Sequence, residues 1–207
     1  MTEKYLLANT IVFLTENSEL SIYSNEWFFD NNIFQMNEMS QNSVFSSNIV
    51  SVITSELTIT IVPNHITIDL KKTSNAENLI EKHIIPFLSK IHQNVRAIGI
   101  NFIWKIVDEE RNISKFSKDL FGEANTCLSS IFTKDDASFG TYLSQSYDDT
   151  TRMKLDVKPI KFSKTERGML ATFNFHYNIS GNKEDLSQLR KWVEMSNKAE
   201  DIVCLMK

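Results

Sequence analysis

Apolar and polar positions alternate most strictly over residues 57–70. Leu57, Ile59 and Ile61 fall on one side of an extended chain, and Thr58 and Thr60 fall on the other. Pro63 and Asn64 supply a reversal, and His65-Ile-Thr-Ile-Asp-Leu70 resumes the alternation. A period of two predicts a hairpin with one buried face. Upstream, residues 5–15 predict a first strand. Glu16 to Glu19 form a polar turn, and residues 20–29 predict a second strand. Residues 30–43, rich in Asn, Gln and Met, read as a loop. Residues 44–54 are β-prone again, with imperfect alternation.

The period then changes. Ile80, Ile84, Phe87 and Ile91 recur at helical spacing, widened by Leu79 and Leu88. Ser74 and Glu77 have the spacing of a capping box at the start of this helix. Pro86 removes an internal amide donor, which predicts a bend near Lys82 or a split into two pieces. Residues 95–107 are apolar on both strand faces, the pattern of a central strand covered on both sides.

Between residues 108 and 150 the pattern weakens into a polar insertion, with short helices expected at 113–121 and 125–131. Residues 152–162 predict a strand whose phase breaks at Pro159, as at a bulge or an edge. Residues 169–178 predict another, with Met169, Ala171, Phe173, Phe175 and Tyr177 on one face. A long helix is expected from near Asn182, whose side chain would cap it. Its two apolar rows, Leu186, Leu189, Val193 and Val203 beside Trp192, Met195, Ala199, Ile202 and Met206, make a broad arc.

These elements predict an α+β fold, a mainly antiparallel sheet packed by a kinked middle helix and a long C-terminal helix. A single compact domain over 1–207 is expected, with 108–150 as its insertion; a subdivision into 1–107 and 151–207 is the alternative. Two strand–strand–helix stretches, at 57–91 and 152–207, resemble in coarse topology a pair of ferredoxin-like ββα units.

Composition narrows the class further. Of 207 residues, 42% are apolar and 23% charged, the balance of a folding chain. The net charge of −4 is uneven: residues 1–60 carry seven acidic side chains and one basic one. No basic field suits phosphate, so nucleic acid is not an expected partner. No apolar run is long enough to cross a bilayer, and the N-terminus lacks an export signal, so no membrane insertion and a cytoplasmic location are expected. Cys127 and Cys204 are too few and too separated for a disulfide framework.

Candidate chemistry is sparse. His65, His83, His92 and His176 show no metal-ligand spacing, and no phosphate-cradling glycine loop is present, so neither metal nor cofactor is expected. Cys127 lacks an activating neighbour, and Cys204 reads as a buried filler. Asn174 and His176 share the polar side of a late strand and, with Asp156 or Arg152 on a neighbour, are the candidates for a small polar pocket able to move a proton. The densest basic interval holds Arg152, Lys154, Lys158, Lys161, Lys164 and Arg167; the expected role is a solvated face that discourages edge pairing. The leading expectation is a non-catalytic interaction or assembly protein that binds itself or another protein. Its interface candidates are Trp192, Met195, Met206, Phe121 and Phe132. The alternative is a small-molecule-binding domain or small enzyme with a pocket near Asn174 and His176.

Overall fold

A computed structural model describes residues 2–16, 19–91, 94–122, 130–164, 166–179 and 183–207. In chain order the elements are β1 (Thr2–Thr15), α1 (Asn25–Asp30), β2 (Val44–Phe45), β3 (Val50–Ile53), β4 (Leu57–Val62) and β5 (His65–Leu70). There follow α2 (Ala76–Leu79), α3 (Ile85–Lys90), β6 (Val95–Asp108), α4 (Ile113–Phe121), β7 (Thr141–Ser146), β8 (Thr151–Lys161), β9 (Arg167–Asn178) and α5 (Trp192–Leu205). The strands form a nine-stranded antiparallel sheet in the order β2-β3-β4-β5-β1-β6-β9-β8-β7. The class is α+β. Among the described residues no helix is long and apolar enough to cross a membrane.

The chain divides into two compact units. A hairpin unit comprises Ala8–Asn101 and His176–Ser196; an edge unit comprises Met1–Leu7, Phe102–Phe175 and Asn197–Lys207. β1, β6, β9 and α5 each contribute residues to both.

In the hairpin unit the period-two pattern sets the register. Ile59 faces Ile68 and Ile61 faces Ile66 across β4–β5; Ile11 and Phe13 of β1 face the same two residues from the other side. Val50 and Val52 extend this apolar row onto β3. All of these side chains are buried, and the helical side of the core supplies Leu79, Ile80, Ile84, Phe87 and Leu88. Each such burial stabilises by roughly 1.5–3 kcal/mol.

Two local expectations in this unit fail, for identifiable reasons. Residues 20–29 are not a strand: a 3-10 turn at Leu20–Ile22 leads into helix α1. Ser24 caps that helix, its Oγ accepting from the Trp27 amide at 3.1 Å. Trp27 and Phe28 then pack on Phe87, Phe28 stacked on its ring at 5.8 Å, and Tyr23 packs against Trp27 and Phe28. The capping box at Ser74 does not form either. Residues Thr73–Asn75 make a 3-10 turn, and the Asn75 side chain donates to Glu56 Oε1 instead of capping the helix.

Pro86 acts where expected. Ile80–Ile84, with Lys82 at its centre, is a π turn between α2 and α3, and the Ile85 amide reaches back five residues to the Ile80 carbonyl. Widening the helix by one residue accommodates a proline with no amide to donate.

In the edge unit, Met153, Leu155 and Val157 of β8, Met169, Ala171, Phe173 and Phe175 of β9, and Phe102 and Ile106 of β6 are buried. Phe116 and Phe139, with Ala199, Val203 and Met206 near the end of the chain, complete this core. Asn112 caps α4, and Ser117 Oγ accepts from the Phe139 amide at 3.0 Å, tying the following loop back to the helix. The second proposed short helix, 125–131, falls largely outside the described residues.

β6 is interior in the strand order, but coverage is unequal. Ile98, Ile100, Phe102 and Ile106 are buried on one face; on the other only Ala97 and Gly99 are, while Asn101, Ile103, Lys105 and Val107 are half-buried. β8 continues through Pro159 without a break. The last β7–β8 pair is Thr141 with Val157, so Pro159 lies beyond it, where that side of β8 needs no donor. Ile160 is consequently left exposed. The Asn182 cap lies outside the described residues; a 3-10 segment, Lys183–Lys191, precedes α5.

Candidate functional site

The sheet ends differently at its two edges. β2 is only two residues long, so little backbone is offered there. β7 offers six residues, Thr-Tyr-Leu-Ser-Gln-Ser, without a charge or a proline, and among the described residues β8 alone pairs with it. Short length, lysine, proline and bulges are the usual means by which an edge strand is protected, and β7 has none of them. Among the described residues no strand pairs with its outer row of peptide groups.

Its position is well defined. At the start, a Cβ on Gly140 would lie 2.5 Å from the Val157 carbonyl oxygen, so only glycine lets the chain come this close to β8. At the end, Asp148 Oδ1 accepts from the amides of Thr150 and Thr151 and closes the turn into β8. Tyr147 packs edge-on against Phe175 at 5.1 Å, anchoring the hairpin to the core.

The two faces of β7 carry different chemistry. Leu143 pairs with buried Leu155 yet is 56% exposed, so the apolar layer runs out past its cover. On the opposite face Tyr142, Ser144 and Ser146 stand beside Asp156, Lys154 and Arg152. Tyr142 is 63% exposed. Arg152 leans diagonally across the strand, its Nε donating to Ser144 Oγ at 2.7 Å. Asp156 is paired with Lys158 at 3.2 Å. Neither Arg152 nor Lys154 has a carboxylate partner among the described residues. The basic interval seen in the sequence thus comes down, at this edge, to two uncompensated cations behind small side chains.

The largest cavity described lies elsewhere in the edge unit, a cleft of about 610 Å³ between the end of β6, the start of α4 and the start of β9. It is lined by Asp108, Glu109, Arg111, Asp135, Asp136 and Glu166, among others. Several of these charges neutralise one another. Asp108 accepts from Arg111 Nη2 at 2.7 Å and Nε at 3.1 Å, and from the Glu110 and Arg111 amides. The guanidinium, helped by those amides, holds the Asp108 carboxyl well below the usual carboxylate range. Glu166 meets Lys105 at 2.5 Å. Among the described residues no group of His, Cys, Asp and Glu is placed to hold a metal.

In the hairpin unit, His83 is buried in the π turn, Nδ1 at 2.6 Å from the Ile33 carbonyl and the ring stacked on Phe34 at 4.8 Å. A small hollow of about 30 Å³ beside it is bordered by Glu38, Thr54, Ser55 and Glu56. That volume suits water, not a substrate.

The proposed pocket residues sit on strands. Asn174 and His176 lie on β9, half-buried on the side away from Phe173, Phe175 and Tyr177. Asp156 lies on β8 and pairs with Lys158. None of the three borders a cavity described here. Trp192 is 3% exposed, and Met195 and Met206 are also buried, so these three fill the chain's own core instead of facing outward. Phe121 is half-buried at the end of α4, and Phe132, 57% exposed, projects from the loop that leads to β7. Cys204, expected inside, is exposed, because it falls off the buried stripe of α5. Cys127 and His92 lie outside the described residues.

Sequence reading missed β7 altogether, placing it within a polar insertion. Comparison with protein-family models and with curated protein sequences finds no match.

Proposed function

We propose that the chain is a non-catalytic protein-interaction module whose docking element is β7. The observation that carries this reading is a six-residue, uncharged edge strand with Tyr142 and Leu143 both more than half exposed. Main-chain hydrogen bonds along such an edge supply affinity to any extended segment, and alternate side chains supply selectivity. Assembly with another protein, or with a second copy, uses the same groups.

Selection of extended peptides from a random library against the full chain tests this. Ligands should protect β7 amides from hydrogen exchange and lose binding on Leu143→Lys, which places a charge in the docking row. Ligands that footprint elsewhere, or bind Leu143→Lys unchanged, would refute the assignment.

A second reading, small-molecule binding, is favoured by the 610 Å³ cleft at the end of β6, which has the volume of a ligand site. It ranks lower because the Asp108 and Glu166 carboxylates are already engaged by Arg111 and Lys105.

A further inference from the structure

Resting on the assignment of β7 as a docking edge, we infer that its partner is an extended segment bearing acidic side chains at two alternate positions, with an apolar one beside them. The geometry is specific. Adjacent strands lie about 4.8 Å apart, so an added strand would run roughly 10 Å from β8. Long basic side chains on β8 can cover much of that distance if the intervening strand does not block them. The β7 residues opposite Lys154 and Arg152 are Ser144 and Ser146, whose side chains are short. Arg152 already reaches across, its Nε on Ser144 Oγ. A glutamate or aspartate on the same face of the added strand would cover the remaining distance.

The row has a boundary. Next along it come Tyr142 and Asp156, and Asp156 is neutralised by Lys158. The cationic readout is therefore confined to the Ser144–Ser146 end. On the other face, exposed Leu143 lies between Thr141 and Gln145 and calls for an apolar residue beside the acidic one opposite Ser144, on the side away from Ser146. A second copy does not fit as well, because the residues that its β7 would bring to this face, Tyr142, Ser144 and Ser146, carry no carboxylate.

The test uses the full chain and three fluorescein-labelled extended peptides that alternate Val with Glu, Gln or Lys. Anisotropy should rank Glu above Gln by about tenfold, with Lys weakest, and the preference for Glu should shrink with added salt. The double variant Arg152→Glu, Lys154→Glu should invert the ranking. Equal binding of Glu and Gln peptides, with β7 amides still protected, would overturn the acidic partner while leaving the edge assignment standing. Absence of β7 protection with every peptide would overturn both. Concentration-dependent dimerisation abolished by Leu143→Lys would identify a second copy as the occupant and also overturn the acidic partner.

Discussion

Arg111 folds back onto Asp108, three residues earlier, and grips one carboxylate oxygen with both Nε and Nη2 while its own amide donates to the other. The carboxylate also accepts from Thr2 Oγ1 at 3.1 Å, so one side chain joins the first strand, the end of β6 and the turn into α4. Its side chain is only 5% exposed, and Arg111 rests on the Phe116 ring at 4.7 Å and meets Asp119 at 3.0 Å. The clamp shapes one wall of the cleft and fixes the entry to the segment that ends in β7.

A pH dependence follows from this clamp. Asp108 has a folded pKa depressed below its unfolded value of about 4. Its contribution is therefore fully present above that unfolded value and is lost as pH falls through the folded one. Asp108→Asn should cost about 2–3 kcal/mol at neutral pH, since it leaves donors and a guanidinium poorly matched. Urea unfolding at pH 7 and pH 3 should show the wild type losing more stability on acidification than the variant. Equal losses would remove Asp108 as a source of acid sensitivity.

Ser24 offers a test of the element that sequence reading misplaced. As an N-cap, Ser24→Ala should cost about 1 kcal/mol, and Ser24→Gly less. In a strand the order would reverse, because glycine weakens an extended segment more than alanine does. Chemical denaturation of both variants decides between the two.

What was legible in the sequence follows from where burial selects residues. The hairpin at 57–70 was readable because each buried position is aliphatic and each outward one polar, so periodicity and register coincide. The bend at Lys82 was readable because proline has a fixed chemical consequence. α1 was not, because its aromatic side chains suit strands as well as helices. The deciding signals were a serine cap and the spacing of Tyr23, Trp27 and Phe28, which bring their rings onto one core. β7 was invisible for the opposite reason. An edge strand open on its outer side buries little, so nothing imposes an alternating apolar pattern on it. Gly140 before it and Asp148 after it are its only local marks. Burial of Trp192, Met195 and Met206 was hidden for a related reason: an apolar helical stripe suits a core as well as a docking surface, and periodicity cannot say which.

Gly168 should prove as constrained as Gly140. A Cβ there would fall against the Ile106 carbonyl oxygen, with a Phe162 ring carbon 3.2 Å away, so backbone as well as side chain must shift. Gly168→Ala is expected to destabilise by about 2–3 kcal/mol through overpacking. Thermal unfolding would check this, and an unchanged midpoint would mean that β6 and β9 are further apart than the structure has them.

Trp192 and Leu143 separate core from surface most directly. Trp192→Asp places a charge in a site that is 3% exposed and should unfold the hairpin unit, with loss of helical circular dichroism and a broadened or absent thermal transition. Leu143→Lys places its charge on a strand edge where the leucine is already mostly in water, and the change in stability should stay within about 0.5 kcal/mol. If α5 were instead a docking face, Trp192→Asp would preserve circular dichroism and alter only association. Measuring both variants by circular dichroism and light scattering therefore assigns each apolar surface from one pair of experiments: a folded Trp192→Asp protein would return the interface to the helix, and a folded Leu143→Lys protein that no longer binds extended peptides would fix it on β7.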